Sequence, residues 1–133
     1  MITSSHIGPS RVISYLYVED NDDIRESIES LIASDTRQIT AVASAETALS
    51  LIAQSKYDVL MTDISLPGMQ GTELARRWLA VNDAGWVIFC TGYDLKGGLE
   101  TLGKNVRSAL KTLEPEELDA LLAEVDARIE AAT

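Results

Sequence analysis

Cysteine, histidine and phenylalanine are nearly missing from this chain of 133 residues, which holds one of each: Cys90, His6 and Phe89. A lone cysteine excludes an internal disulfide framework and fits a reducing compartment. Basic residues are also scarce, 11 Lys and Arg against 21 Asp and Glu, for a net charge of −10. That balance argues against a general nucleic-acid binder, which needs clustered Lys and Arg to neutralise phosphates, but it leaves a basic protein partner open. Long hydrophobic runs are missing as well. The opening MITSSHIGPSRV has no apolar stretch suited to a signal peptide. Nothing later approaches the roughly 18 consecutive apolar residues of a membrane span. What remains is 46% apolar and 24% charged, the balance of one ordinary globular domain. A soluble, cytoplasmic protein is expected.

Residues 1–10, with Gly8-Pro9, read as a loose leader before a domain at 11–133. From Arg11 short Val/Ile/aromatic runs alternate with stretches of helical period, the texture of a parallel sheet with crossover helices. Strands are expected at 12–18, 38–43, 57–62, 86–90 and 106–110. Asn21 is placed to cap a first helix whose stripe is Ile24, Ile28, Leu31 and Ile32. Ser44 caps a second, carrying Ala48, Leu49, Ile52 and Ala53 on one side. Thr72 caps a third, burying Leu74, Trp78 and Leu79 as far as Val81. A short fourth is expected over 94–102, weakened by Gly97-Gly98 at about 1 kcal/mol per glycine. The last runs over 114–131, with Pro115 in its first turn and Leu118, Leu121, Leu122, Val125 and Ile129 as its stripe. Five strands thus alternate with five helices.

Four of the strands stop at residues with chemical handles. The first ends in Glu19-Asp20, the third in Asp63, the fourth in Thr91 and the fifth in Lys111. In an open α/β sheet the carboxyl ends of parallel strands line one crevice, where ligands usually bind. Topology alone therefore gathers three carboxylates, a hydroxyl and an ammonium. Three acids repel unless a cation joins them, and oxygen ligands without His or Cys favour Mg²⁺ over zinc. Such an ion takes carboxylates together with phosphate oxygens, which suits phosphoryl chemistry.

These residues match a family. Over about 11–131 the chain resembles the receiver domain of two-component response regulators, through YLYVEDND, VLMTDISLPGMQG, IFCTGY and Lys111. The resemblance implies a flavodoxin-like (βα)5 doubly wound sheet in three layers, strand order 2-1-3-4-5. It implies that Asp63 accepts a phosphoryl group from a phosphohistidine on a histidine kinase or phosphotransfer protein. Asp20, Asp63 and the carbonyl of Ser65 would hold Mg²⁺, with Glu19 helping through water. Thr91 and Lys111 would contact the phosphoryl oxygens. The string FCTGY is similar to the phenylalanine–alanine–threonine–glycine–tyrosine signature of the FAT GUY regulators, with Cys90 for the alanine. Members of that group are often single-domain regulators. No output domain is expected after Thr133, so the effector would be another protein or a phosphorelay step. The domain would not be an enzyme, although it would assist its own phosphorylation and dephosphorylation, as a monomer or weak dimer.

Two departures stand out. Receivers usually follow the lysine with proline through a cis bond, whereas Thr112 stands here. A non-proline cis bond costs about 3 kcal/mol, so the loop after Lys111 is expected to run differently. Three residues before the lysine, where receivers carry a switch aromatic, the chain has Ser108. Tyr93, or the loop with Gly92 and Gly97-Gly98, is the expected substitute, since glycine supplies backbone freedom.

Rival readings are weaker. A P-loop needs Gly-rich sequence with Lys-Ser/Thr after the first strand, where Glu-Asp stands, and the dinucleotide fingerprint fails likewise. A haloacid-dehalogenase phosphatase needs a second Asp where Ser65 is. A pseudo-receiver that binds partners without phosphorylation is the alternative, favoured by Ser108 and Thr112. Should the alignment slip, Lys104 replaces Lys111. Cys90 reads as a buried small hydrophobe, His6 as inert, and Trp78, Trp86 and Met69 as packing residues. The negative charge is segregated: residues 19–35 hold seven acids and one Arg, and residues 114–133 the same. In the expected strand order the first and last helices share one side, giving an acidic face and a partner with a basic rim.

Overall fold

A computed structural model describes residues 12–92 and 102–132. The leader at 1–10, Tyr93, Gly97-Gly98 and nearly all of the helix expected over 94–102 lie outside them. Strands β1 (Ile13–Val18), β2 (Arg37–Val42), β3 (Val59–Asp63), β4 (Trp86–Thr91) and β5 (Val106–Leu110) form one sheet in the order β2-β1-β3-β4-β5. Every neighbouring pair is parallel. The described helices are α1 (Asp22–Ile32), α2 (Ala45–Gln54), α3 (Gly71–Val81) and α4 (Pro115–Ala132). None is long and apolar enough to cross a membrane. This is the flavodoxin-like, three-layer arrangement expected from the sequence.

The period-two alternation of β1 sorts its side chains between two cores. Ile13, Tyr15 and Tyr17 join Ile28 and Ile32 of α1 and Leu118, Leu122, Val125 and Ile129 of α4. Leu16 and Val18 join Ala45 and Ala48 of α2 and Leu74, Ala75 and Trp78 of α3. Helices α1 and α4 therefore do share a face. Central β4 is buried at every position, as its unbroken apolar run requires.

Local chemistry sets the helix starts. Asn21 Oδ1 accepts from the Ile24 amide at 3.0 Å, and Ser44 Oγ from the Thr47 amide at 3.1 Å. The third cap departs from expectation. Gln70, not Thr72, is the N-cap of α3, and no side-chain hydrogen bond serves it. The helix starts earlier because the Gly71 amide is taken by the Ile64 carbonyl at 2.8 Å. A Cβ on Gly71 would stand 2.0 Å from the Asp63 carbonyl oxygen, so only glycine permits that approach. The stripe of α1 is also narrower than its periodicity suggests. Ile28 and Ile32 are buried, whereas Ile24 and Leu31 are 37% and 46% exposed.

Across the lower half of the α1/α4 face runs a polar tie. The Tyr15 hydroxyl donates to Asp126 Oδ1 at 2.7 Å, and Arg37 Nε donates to Asp126 Oδ2 at 2.7 Å. One carboxylate of α4 thus links β1 to β2.

Candidate phosphoryl-acceptor site

Strand register brings the chemical residues level. Val18 pairs with Thr62, Asp63 with Cys90, and Thr91 with Leu110. The residues at or just beyond those pairs are Glu19, Asp20, Asp63, Thr91 and Lys111, so all five converge at the carboxyl edge.

Glu19 continues the inward face of β1 and is only 2% exposed. Its Oε2 accepts from the Asn21 amide at 3.0 Å, and its Oε1 accepts from Lys111 Nζ at 3.1 Å. Its carbonyl accepts from the Arg25 guanidinium at 2.9 Å. Asp63 Oδ2 accepts from Lys111 Nζ at 2.8 Å, while Oδ1 accepts from the Ser65 amide at 3.2 Å. Asp20 is exposed at the mouth of the crevice. Carboxylate oxygens of Glu19, Asp20 and Asp63 all lie within 4.8 Å of one another. Thr91 is buried at the end of β4, where its carbonyl accepts from the Lys111 amide at 2.7 Å.

Lys111 is the electrostatic centre of this group. Burial lowers its pKa, but hydrogen bonds to Asp63 and Glu19 outweigh that, and the net direction is upward. The ammonium therefore stays charged at neutral pH. Lys104 stands before β5, at the opposite end of the strand, and lines a different surface depression. That position removes it as an alternative to Lys111.

Thr112 lies in a tight turn directly after β5. The described residues contain no cis peptide bond, and the turn closes through a bond from the Leu113 amide to the Leu110 carbonyl at 2.8 Å. Leu113 adopts φ 58 there, a left-handed conformation unusual for leucine, and its side chain is buried against the α1/α4 core. Ser108 is exposed on β5. Ser65 lies in the exposed loop after β3, where its amide steadies Asp63.

A model of the response regulator receiver domain matches residues 15–123. The chain belongs to that family. Among curated relatives of this receiver, the transcriptional regulatory protein AfsQ1 of Streptomyces coelicolor is 34% identical over 64 residues, 48% of this chain and 28% of AfsQ1. The chain spans about a third of the length of the curated relatives it matches. Similar solved structures include the signal receiver domain of an HD domain-containing protein from Pseudomonas fluorescens, with a TM-score of 0.79 and 21% identity, covering 92% of this chain and 100% of that one. Another is the response regulator TrrA of Thermotoga maritima in complex with Mg²⁺–BeF, with a TM-score of 0.75 and 22% identity, covering 86% and 99%. At such identities these structures establish the shared receiver fold alone.

Three residues of the receiver site escaped sequence reasoning in their site roles. Asn21 was legible as a cap, but not as the amide that holds Glu19. Arg25 has no signal beyond its place one turn into α1. Tyr17 reads only as part of an apolar strand, yet its hydroxyl is buried and has no hydrogen-bond partner among the described residues. Burial, followed by the nearby Cys90, Glu19 and Asp63, pushes its phenol pKa up and keeps it protonated.

Proposed function

We propose that this receiver domain accepts a phosphoryl group on Asp63 from a phosphohistidine of a histidine kinase or phosphotransfer protein, and signals onward by protein–protein contact. The observation that carries the proposal is Lys111 Nζ bridging Asp63 Oδ2 and Glu19 Oε1 at 2.8 and 3.1 Å. An Asp63 oxygen attacks phosphorus, a P–O bond forms, the P–N bond breaks, and the imidazole leaves with its electron pair. Lys111 follows the transferred charge from the carboxylate to the phosphoryl oxygens. Thr91, level with it on β4, is the candidate donor to another of those oxygens. These groups assist the transfer without making the domain an enzyme with turnover on a separate substrate.

The donor set fits a divalent cation. Three carboxylates meet one ammonium, so the cluster retains excess negative charge, and every available ligand atom is oxygen. Glu19, Asp20 and Asp63, with the Ser65 carbonyl, would hold Mg²⁺, which when bound draws charge from the attacking and transferred oxygens. The Mg²⁺–BeF complex of TrrA is in keeping with this assignment.

A pseudo-receiver that never carries phosphate is the second reading, favoured by Ser108 and by the left-handed turn at Leu113. One experiment separates the two. Incubation with Mg²⁺ and acetyl phosphate is expected to add one phosphoryl group by intact mass, absent without Mg²⁺ and absent in Asp63→Ala. No added mass under any small donor or partner kinase would leave the interaction module as the function.

A further inference from the structure

Three carboxylates meet in the crevice against the single ammonium of Lys111. Their repulsion works against the turn between β1 and α1, which carries Glu19 and Asp20. Like charges held this close splay apart unless the chain that bears them is tied.

Arg25 is placed to tie it. The residue stands one turn into α1, its side chain is only 17% exposed, and its guanidinium reaches back to the strand end. Nη1 donates to the Glu19 carbonyl at 2.9 Å, and Nη2 donates to Asp22 Oδ1 at 2.6 Å. One acceptor precedes Asp20 and the other follows it, so the two-pronged group spans the turn. Asn21 closes the same stretch from within: its amide donates to Glu19 Oε2 at 3.0 Å, and its carbonyl accepts from the Arg25 amide at 2.9 Å. The exposed Asp20 carboxylate takes part in none of these bonds, and its place is set by the tied residues on either side. A planar guanidinium holds two acceptors in fixed geometry, which a lysine ammonium on its flexible stem does not.

We infer that Arg25 is a positioning residue for the divalent cation: its guanidinium staples Glu19 to Asp22 and holds the Glu19–Asp20 pair in place before the ion binds. The inference rests on the metal assignment made above. Its sign is opposite to the one charge alone gives. A guanidinium on the residue next to Asp20 repels Mg²⁺, so by Coulomb forces its removal tightens binding. By positioning, its removal weakens binding, because the ion must then order the turn as it binds.

Mg²⁺ titrations followed by amide chemical shifts around Asp63 read that sign in the wild-type chain, Arg25→Met, Arg25→Lys and Asp20→Asn. Methionine keeps an apolar stem without charge or donors, and lysine keeps the charge without the fork. Arg25→Met is expected to bind Mg²⁺ about tenfold more weakly, the scale of losing a group that orients a metal ligand, and Arg25→Lys several-fold more weakly. Tighter or unchanged binding in Arg25→Met overturns the role of Arg25, and so does wild-type affinity in Arg25→Lys. A second readout needs no variant to stay folded. Guanidinium ¹⁵N spectra of the ion-free wild type are expected to show two separate Nη resonances for Arg25, since a fork held at both prongs does not rotate freely. A single averaged resonance overturns the role whatever the variants do. A wild-type chain that takes up no Mg²⁺, or an Asp20→Asn that binds it equally well, overturns the metal assignment and the role of Arg25 with it.

Discussion

Cys90 sits on β4 directly across from Asp63, one residue before Thr91. Sequence suggested a buried small hydrophobe, and the side chain is fully enclosed. Burial pushes its thiol up to about 12, partly opposed by Lys111, so the native state holds no reactive thiolate at neutral pH. Labelling by a thiol reagent is therefore expected to proceed only through unfolding, with a rate that climbs steeply in urea and matches the unfolding rate. The sign of the pH effect follows from the same shift. The folded thiol keeps its proton where the unfolded one, at 9.0, has begun to lose it. Its contribution to stability is complete below pH 9.0 and is lost as pH rises from there toward 12. Cys90→Ala should flatten that part of the stability profile in urea titrations at successive pH values. Lys111 is a residue whose identity was legible and whose partners were not. Only the parallel pairing of β4 with β5 brings it over both Glu19 and Asp63.

Elements carry two further predictions. The Asp126 carboxylate on α4 serves Tyr15 of β1 and Arg37 of β2 at once, and Arg37 is 90% enclosed. Asp126→Ala leaves a buried phenol unpaired and takes from Arg37 its close carboxylate, with only Asp119 at 3.9 Å and the Ile32 carbonyl remaining, so a loss of about 2 kcal/mol is expected in urea unfolding. Nothing in the sequence announces this tie, because its members are separated by 89 and 111 positions. Gly71 is the second case. A methyl group there meets the Asp63 carbonyl at 2.0 Å, whereas one on Gly92 meets nothing within 4 Å among the described residues. Gly71→Ala is expected to lower the melting temperature and to weaken Mg²⁺ binding, both measurable by calorimetry, while Gly92→Ala does neither. The Pro-Gly loop was legible as a turn, but the close approach that demands glycine was not. Helical period likewise located α1 while overstating its buried stripe, since periodicity marks a direction and not how far the neighbouring layer extends.

At the scale of the whole molecule, charge has a location. Seven acids with one arginine at 19–35 and the same at 114–133 fall mainly on α1 and α4 with their flanking turns, on one side of the sheet. That side borders the crevice holding Asp63, and the cavity beside Lys111 opens on it. A phosphodonor with a basic rim would be steered there. Phosphotransfer under second-order conditions is expected to slow several-fold as ionic strength rises through about 0.1 M, where the screening length is roughly 10 Å. Rates indifferent to salt would place the docking surface elsewhere.

The sequence by itself determined the alternation of strands and helices, the strand order through its family resemblance, and the identity of Glu19, Asp20, Asp63, Thr91 and Lys111. All of these are local in origin: periodicity, caps, and residue types at strand ends. Tertiary structure alone decided that Lys111 rather than Lys104 joins the acids, that Gly71 must lack a Cβ, and that the buried Tyr17 hydroxyl has no partner among the described residues. Each depends on distances between segments far apart in the chain, set by strand register and by packing of helices on the sheet. Local sequence pattern holds no record of those distances.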